Sequence, residues 1–138
     1  MSDPGSLESP LAGALRRIGD RWTLLVVKAL LEQPRRFGEL QRSVPGVATN
    51  VLSARLRDLE RHGLVVAEPY STRPLRVVYR ATARAAELGG VLRLLGDWSV
   101  RSGGAEPPVH ALCGTTLQVR YYCPTCHDLA EDEEGVWV

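Results

Sequence analysis

Asn50, Ser53, Arg57 and Arg61 follow one another at steps of three and four residues, and Arg73 and Arg76 lie downstream in the segment STRPLR. These side chains offer donors and acceptors that match nucleic acid. Asparagine can bond adenine in a bidentate manner, and arginine can do the same with guanine. A second chemical group lies near the end of the chain, where His110-x2-Cys113 is followed by Cys123-x2-Cys126. Zinc takes four soft or borderline ligands in a tetrahedron, and two x2-spaced pairs provide such a set. No nucleophile–base constellation and no phosphate-binding glycine loop accompany them, so no catalytic residues and no enzyme activity are expected.

The first group needs a helix to present it. At 100° per residue, a helix from Thr49 to His62 gathers Leu52, Leu56 and Leu59 on one side. The opposite side carries Asn50, Ser53, Ala54, Arg57 and Arg61. The N-terminal half of such a helix can enter a major groove and read base edges. Thr49 stands where it could cap the helix or touch a phosphate. An ordinary solvated face would show the same polarity, so the flanking elements decide between the two. Before the helix come a possible short strand at Arg35-Arg36-Phe37, a brief helix over Gly38 to Ser43 and a turn at Val44-Pro45-Gly46. After it, Gly63 is a plausible stop. Leu64 to Glu68 and Arg76 to Arg80 flank STRP as a hairpin, and Pro69 suits a strand at an edge. The tip, Ser71 to Arg76, projects two arginines, which the negative potential of a minor groove favours. Helix, turn, helix and wing in this order favour DNA contact, with Arg36, Thr49, Asn50, Ser53, Arg57, Arg73 and Arg76 as its candidate residues.

Supporting helices flank this unit. Leu11, Ala14, Leu15 and Ile18 mark a first helix from Leu11 to Ile18, interrupted by Gly19-Asp20. A core helix from Arg21 to Glu32 stops before Pro34. A last long helix from Ala83 to Arg101 carries Leu88, Val91, Leu92, Leu95 and Trp98. Gly89-Gly90 weakens it by roughly 1 kcal/mol per glycine, which close packing against another helix would offset. The expected fold is mostly α with a small β component. It comprises a flexible N-terminus over 1–10, a winged helix–turn–helix with flanking dimerisation helices over 11–102, a linker over 103–109 and a small β or zinc-knuckle-like tail over 110–138.

Charge supports a polyanionic partner. The net charge is only +1, yet Arg16 to Arg101 holds 16 Lys+Arg against 8 Asp+Glu, a local net of +8 between acidic ends. Lys28 is the one lysine, and arginine's planar fork suits phosphates and guanine edges; biased codon usage would give the same composition. No apolar run approaches the ~20 residues that span a bilayer. MSDPGSLESP has neither a basic start nor an apolar segment, so no secretory signal and a cytoplasmic location are expected.

The tail admits three readings. His110, Cys113, Cys123 and Cys126 can be read as a structural zinc site, with His127 as a substitute ligand and the metal supplying much of the tail's fold. Cys123 and Cys126 can also be read as a redox dithiol, although no βαβ pattern surrounds them. All three cysteines can equally be small hydrophobes in a metal-free hairpin, with Leu117, Val119 and Tyr121 on one face. The run from Glu131 to Glu134 reads as a solvated acidic end.

The segment from Ile18 to Arg101 resembles the HxlR family of winged helix–turn–helix regulators, relatives of the MarR group. The resemblance rests on IGDRWT at 18–23, PRRFGEL at 34–40, PGV at 45–47, VLS at 51–53, RLRDLE at 55–60, HGL at 62–64, PLRV at 74–77 and Tyr79. It implies a homodimer built largely by the first and last helices. It also implies binding to a near-palindromic operator and control of transcription by occupancy of a promoter. A winged helix that binds protein rather than DNA is the alternative, and the outward arginines argue against it. A small-molecule effector is possible, but no residue cluster marks its site. Many family members carry cysteine-proline just before the first helix, and some sense oxidants there. Here the pair is Ser9-Pro10, which excludes thiol sensing at that place. The family often has serine and lysine where this chain has Ala48 and Asn50.

Overall fold

Two side-chain caps set the first helices. In the computed structural model, the Ser9 hydroxyl accepts the Ala12 N–H at 3.1 Å and starts helix α1, Pro10–Ile18. Gly19 closes it by donating its N–H to the Leu15 carbonyl at 2.8 Å. A β-carbon at position 19 would collide with that same carbonyl, so the chain turns here on a glycine. Asp20 then caps α2, Arg21–Glu32. Its carboxylate accepts the N–H groups of Trp22 at 3.0 Å and Thr23 at 3.1 Å, and the Thr23 hydroxyl donates to its second oxygen. Gln33 adopts an extended conformation before Pro34, which ends α2 where the sequence predicts.

The structure describes residues 9–103, 106–118 and 120–130. The expected frayed start up to Glu8, Gly104 of the linker, Val119 of the tail's apolar face and the acidic run from Glu131 to Glu134 lie outside the described residues. The remaining elements are α3 (Phe37–Ser43), α4 (Thr49–Arg61), β1 (Val65–Thr72), β2 (Leu75–Ala81), α5 (Ala83–Ala86), α6 (Leu88–Arg101), β3 (Tyr121–Cys123) and β4 (Asp128–Ala130). The chain divides into two compact units, 1–92 and 93–138, and the division falls inside α6.

The first unit is organised around Val26, Val27 and Leu30 of α2, Leu40 of α3, and Leu52, Leu56 and Leu59 of α4, all buried. Burying each of these side chains contributes roughly 1.5–3 kcal/mol. The stripe predicted on α4 is therefore the face that packs. Leu64, Val65 and Ala85 extend the core under the base of the hairpin.

Three local expectations change. Arg35 forms only an isolated bridge to Tyr79, exchanging both backbone hydrogen bonds at 3.0 and 2.8 Å, while Phe37 already belongs to α3. The hairpin strands run further than their Val- and Tyr-rich cores, because antiparallel pairing continues to Thr72↔Leu75 past an irregularity between Pro69 and Ser71. Arg76 consequently sits in β2, paired with Ser71, and the turn itself is Arg73-Pro74. The single last helix is two: Thr82 caps the short α5 by accepting the Ala85 N–H, and Glu87 separates it from α6, whose first turn holds Gly89-Gly90. Glycines there weaken helix continuity.

Leu11 and Leu15 on α1 are exposed, and so are Val91, Leu95 and Trp98 along α6. Among the described residues, no helix is long and apolar enough to cross a membrane.

Candidate nucleic-acid interface

Helices α3 and α4 are joined by a turn in which Gly46 adopts φ +87°, a backbone conformation that glycine tolerates and other residues strain to reach. Gln41 of α3 donates its side-chain N–H to the Thr49 hydroxyl of α4 at 2.9 Å, across the turn. Thr49 therefore does not cap α4, as the sequence suggested it could. The cap position is Ala48, whose side chain offers no acceptor. The first amides of α4 thus keep their partial positive charge directed out of the helix start, an arrangement that favours a phosphate.

Asn50 and Arg57 are exposed on α4, and Ser53 and Ala54 between them are half-buried. The charged residues around this face divide into two sets. Arg55 is held by Asp20 at 3.3 Å and by Asp58 at 3.2 Å, so it ties α4 to the start of α2. Arg61 is held by Asp58. In contrast, Asn50, Arg57, Arg73 and Arg76 make no side-chain hydrogen bond or ion pair among the described residues.

The carboxylates respond to these cations. Burial acts to raise the Asp20 carboxyl, but the Thr23 hydroxyl and amide, the Arg55 charge and the Trp22 amide outweigh it and hold the group below its usual range. The hydrogen bond from Arg61, opposed by slight burial and aided by the charges of Arg61 and Arg55, does the same for Asp58.

The wing is fastened at two heights. At its base, the Arg35 backbone pairs with Tyr79. The Arg35 side chain meanwhile donates to the Ala29 carbonyl at 2.9 Å and pairs with Glu32 at 2.9 Å, closing the end of α2. Higher up, the Arg36 guanidinium lies over the Tyr70 ring, 4.7 Å from its centroid. The Arg36 N–H donates to Glu39 at 2.6 Å, which starts α3. Arg80 and Glu68 pair across the strands at 3.2 Å. Tyr70 and Gln41 were not legible as parts of this surface. Each acts through a tertiary contact that no local pattern encodes.

The tail residues form two close pairs. His110 Nδ1 and Cys113 Sγ stand 3.2 Å apart, and the Cys126 N–H donates to Cys123 Sγ at 3.5 Å. Hydrogen bonding with the Thr115 hydroxyl and amide holds the Cys113 thiol below its usual value, and that with the Cys126 and Thr125 amides and the Cys126 side chain does the same for Cys123. Among the described residues, no three His, Cys, Asp or Glu side chains come together as a metal-binding group, so the tail's fold is a pair of short strands without an assembled knuckle. His127 Nδ1 is engaged by the Tyr122 hydroxyl at 3.1 Å.

Paired helices with a two-stranded wing define a winged helix–turn–helix protein. Residues 17–106 match the HxlR-like helix-turn-helix family, and the chain belongs to it. It is a family of transcriptional regulators and not of enzymes. Rv3095 of Mycobacterium tuberculosis, an HTH-type transcriptional regulator, is 37% identical over 120 residues, which span 82% of this chain and 74% of that protein. The structure of PA1607, a candidate transcription factor, superposes with a TM-score of 0.77 at 29% identity and covers 96% of both chains. Reduced YodB, a transcriptional regulator of Bacillus subtilis, gives a TM-score of 0.59 at 26% identity, covering 67% of this chain and 92% of its own.

Proposed function

We propose that this chain binds duplex DNA sequence-specifically, as a homodimer on a near-palindromic operator, and controls transcription by occupying it. The start of α4 enters the major groove. Asn50, Ser53 and Arg57 meet base edges, while Thr49 and Arg36 meet phosphates. Arg73 and Arg76 lie along the neighbouring minor groove or backbone. One observation carries this reading: Asn50, Arg57, Arg73 and Arg76 have no partner side chain among the described residues, whereas nearby Arg35, Arg55, Arg61 and Arg80 are each paired with a carboxylate. A protein-binding winged helix would have no use for unpaired arginines on both the helix and the wing.

The exposed apolar stripes on α1 and α6 support dimerisation, since a second copy would take Leu11, Leu15, Val91, Leu95 and Trp98 out of water. YodB has been solved in reduced and diamide-treated forms. In this chain the residue before the first helix is Ser9, engaged as a cap, so any response to oxidants arises elsewhere.

Fluorescence anisotropy with a promoter fragment from the gene's own locus, against scrambled DNA at ~150 mM salt, tests the proposal. Preferential binding is expected, weakened at least five-fold by Arg57→Ala and by Arg73→Ala. Equal affinity for both duplexes would remove sequence specificity.

A further inference from the structure

The second unit contains two hairpins with the same plan. In the first, Val109 bridges Thr116 and the His110 N–H donates to the Thr115 carbonyl at 2.8 Å, closing a turn over 110–115. In the second, Tyr122 pairs with Leu129 and Cys123 with Asp128, closing a turn over 123–128. A shift of thirteen residues superimposes the two plans on the sequence: His110 falls on Cys123, Cys113 on Cys126, Gly114 on His127 and Thr116 on Leu129.

The backbone repeats as well. Gly114 has φ +69° and His127 has φ +56°, so each pair is followed by one residue in the left-handed region. His127 is the single described non-glycine residue with positive φ, a conformation unfavourable for a side chain with a β-carbon. Each turn therefore carries an x2-spaced pair of potential ligands followed by one left-handed residue. The 3.2 Å approach of His110 Nδ1 to Cys113 Sγ brings the first pair together, and in the second turn the Cys126 N–H donates to Cys123 Sγ at 3.5 Å. A redox dithiol at Cys123 and Cys126 would account for one hairpin and leave its copy unexplained. Buried small hydrophobes would account for neither, because Cys113 and Cys126 are exposed.

We propose that the two hairpins are the halves of one structural zinc site, with His110, Cys113, Cys123 and Cys126 as its four ligands. Three thiolates and one imidazole suit tetrahedral zinc better than the oxygen-seeking magnesium or calcium. The two pairs are not gathered into one group in this structure, so metal binding draws them together and becomes part of the unit's folding free energy. His127 is not a ligand. It occupies the place of Gly114, and its ring is bonded to Tyr122.

The test uses the full chain, stripped with a chelator under reducing conditions and then supplied with zinc or cobalt(II). Mass spectrometry under native conditions should find one zinc per chain, and zinc should protect all three thiols from alkylation. Cobalt(II) should give the intense d–d and thiolate charge-transfer bands of a tetrahedral site. His110→Ala, Cys113→Ser and Cys126→Ser should each abolish stoichiometric zinc, while His127→Asn retains it. Three freely alkylated thiols in the presence of zinc would overturn the proposal. So would half a zinc per chain, or metal retained by His110→Ala. The cobalt spectrum of the unsubstituted chain is independent of any variant's folding, and operator binding by the first unit is a separate readout.

Discussion

Arg55 and Arg57 stand two positions apart on α4 and do different work. Arg55 bridges Asp20 and Asp58 and belongs to the frame, whereas Arg57 has no partner among the described residues. Arg57→Ala should therefore weaken operator binding by about 1–3 kcal/mol while leaving the thermal midpoint unchanged. Arg55→Ala should lower the thermal midpoint, with a stability loss of no more than about 1 kcal/mol, because its ion pairs are partly exposed. Asp20 adds a pH dependence. Its carboxyl is held below its unfolded value, so the stability it contributes is fully present above the ordinary carboxylate range and is lost as pH falls through the lowered folded value. Asp20→Ala should cost about 1 kcal/mol at pH 7 through the lost cap, and the gap to the parent in urea unfolding should narrow below pH 4. A gap that stayed constant down to pH 2.5 would show that the ionised carboxylate is not responsible.

At the scale of elements, legibility followed punctuation. The bounds of α2 match the sequence reading because Asp20 and Pro34 mark them chemically, and the leucine stripe of α4 proved to be its buried face. The wing strands were read too short because Ser71, Thr72 and Leu75 have no strand pattern of their own; pairing with the opposite strand puts them in the ladder. The break at Glu87 had no signal stronger than the glycines that follow it. Position alone lets Thr49 either cap α4 or touch a phosphate, and only the tertiary structure puts Gln41 on its hydroxyl. Leu56 of α4, at 1% exposure, lies in the core of the first unit. Leu56→Ala should destabilise the first unit by about 2–5 kcal/mol in denaturant unfolding, and DNA binding should fall in proportion to the unfolded fraction.

For the molecule as a whole, two predictions concern surfaces that no single element owns. Leu15→Glu places a charge within an exposed apolar stripe. On the proposed dimer it should yield monomers in sedimentation velocity and reduce operator affinity at least ten-fold, since one copy on a half-site would lack a second copy's contacts. The +8 region from Arg16 to Arg101 should make affinity fall steeply and linearly on a log–log plot against salt. A final consequence concerns the wing's attachment. With its root locked by Arg35 and Tyr79 and its middle pinned by Arg36 on Tyr70, the hairpin behaves mechanically as a cantilever clamped along most of its length. Only the last few residues around Arg73-Pro74 are free to bend. Thermal bending of so short an overhang is small, so the backbone at the tip has little orientational freedom left to lose in a contact, and the unpaired Arg73 side chain carries most of the ordering cost.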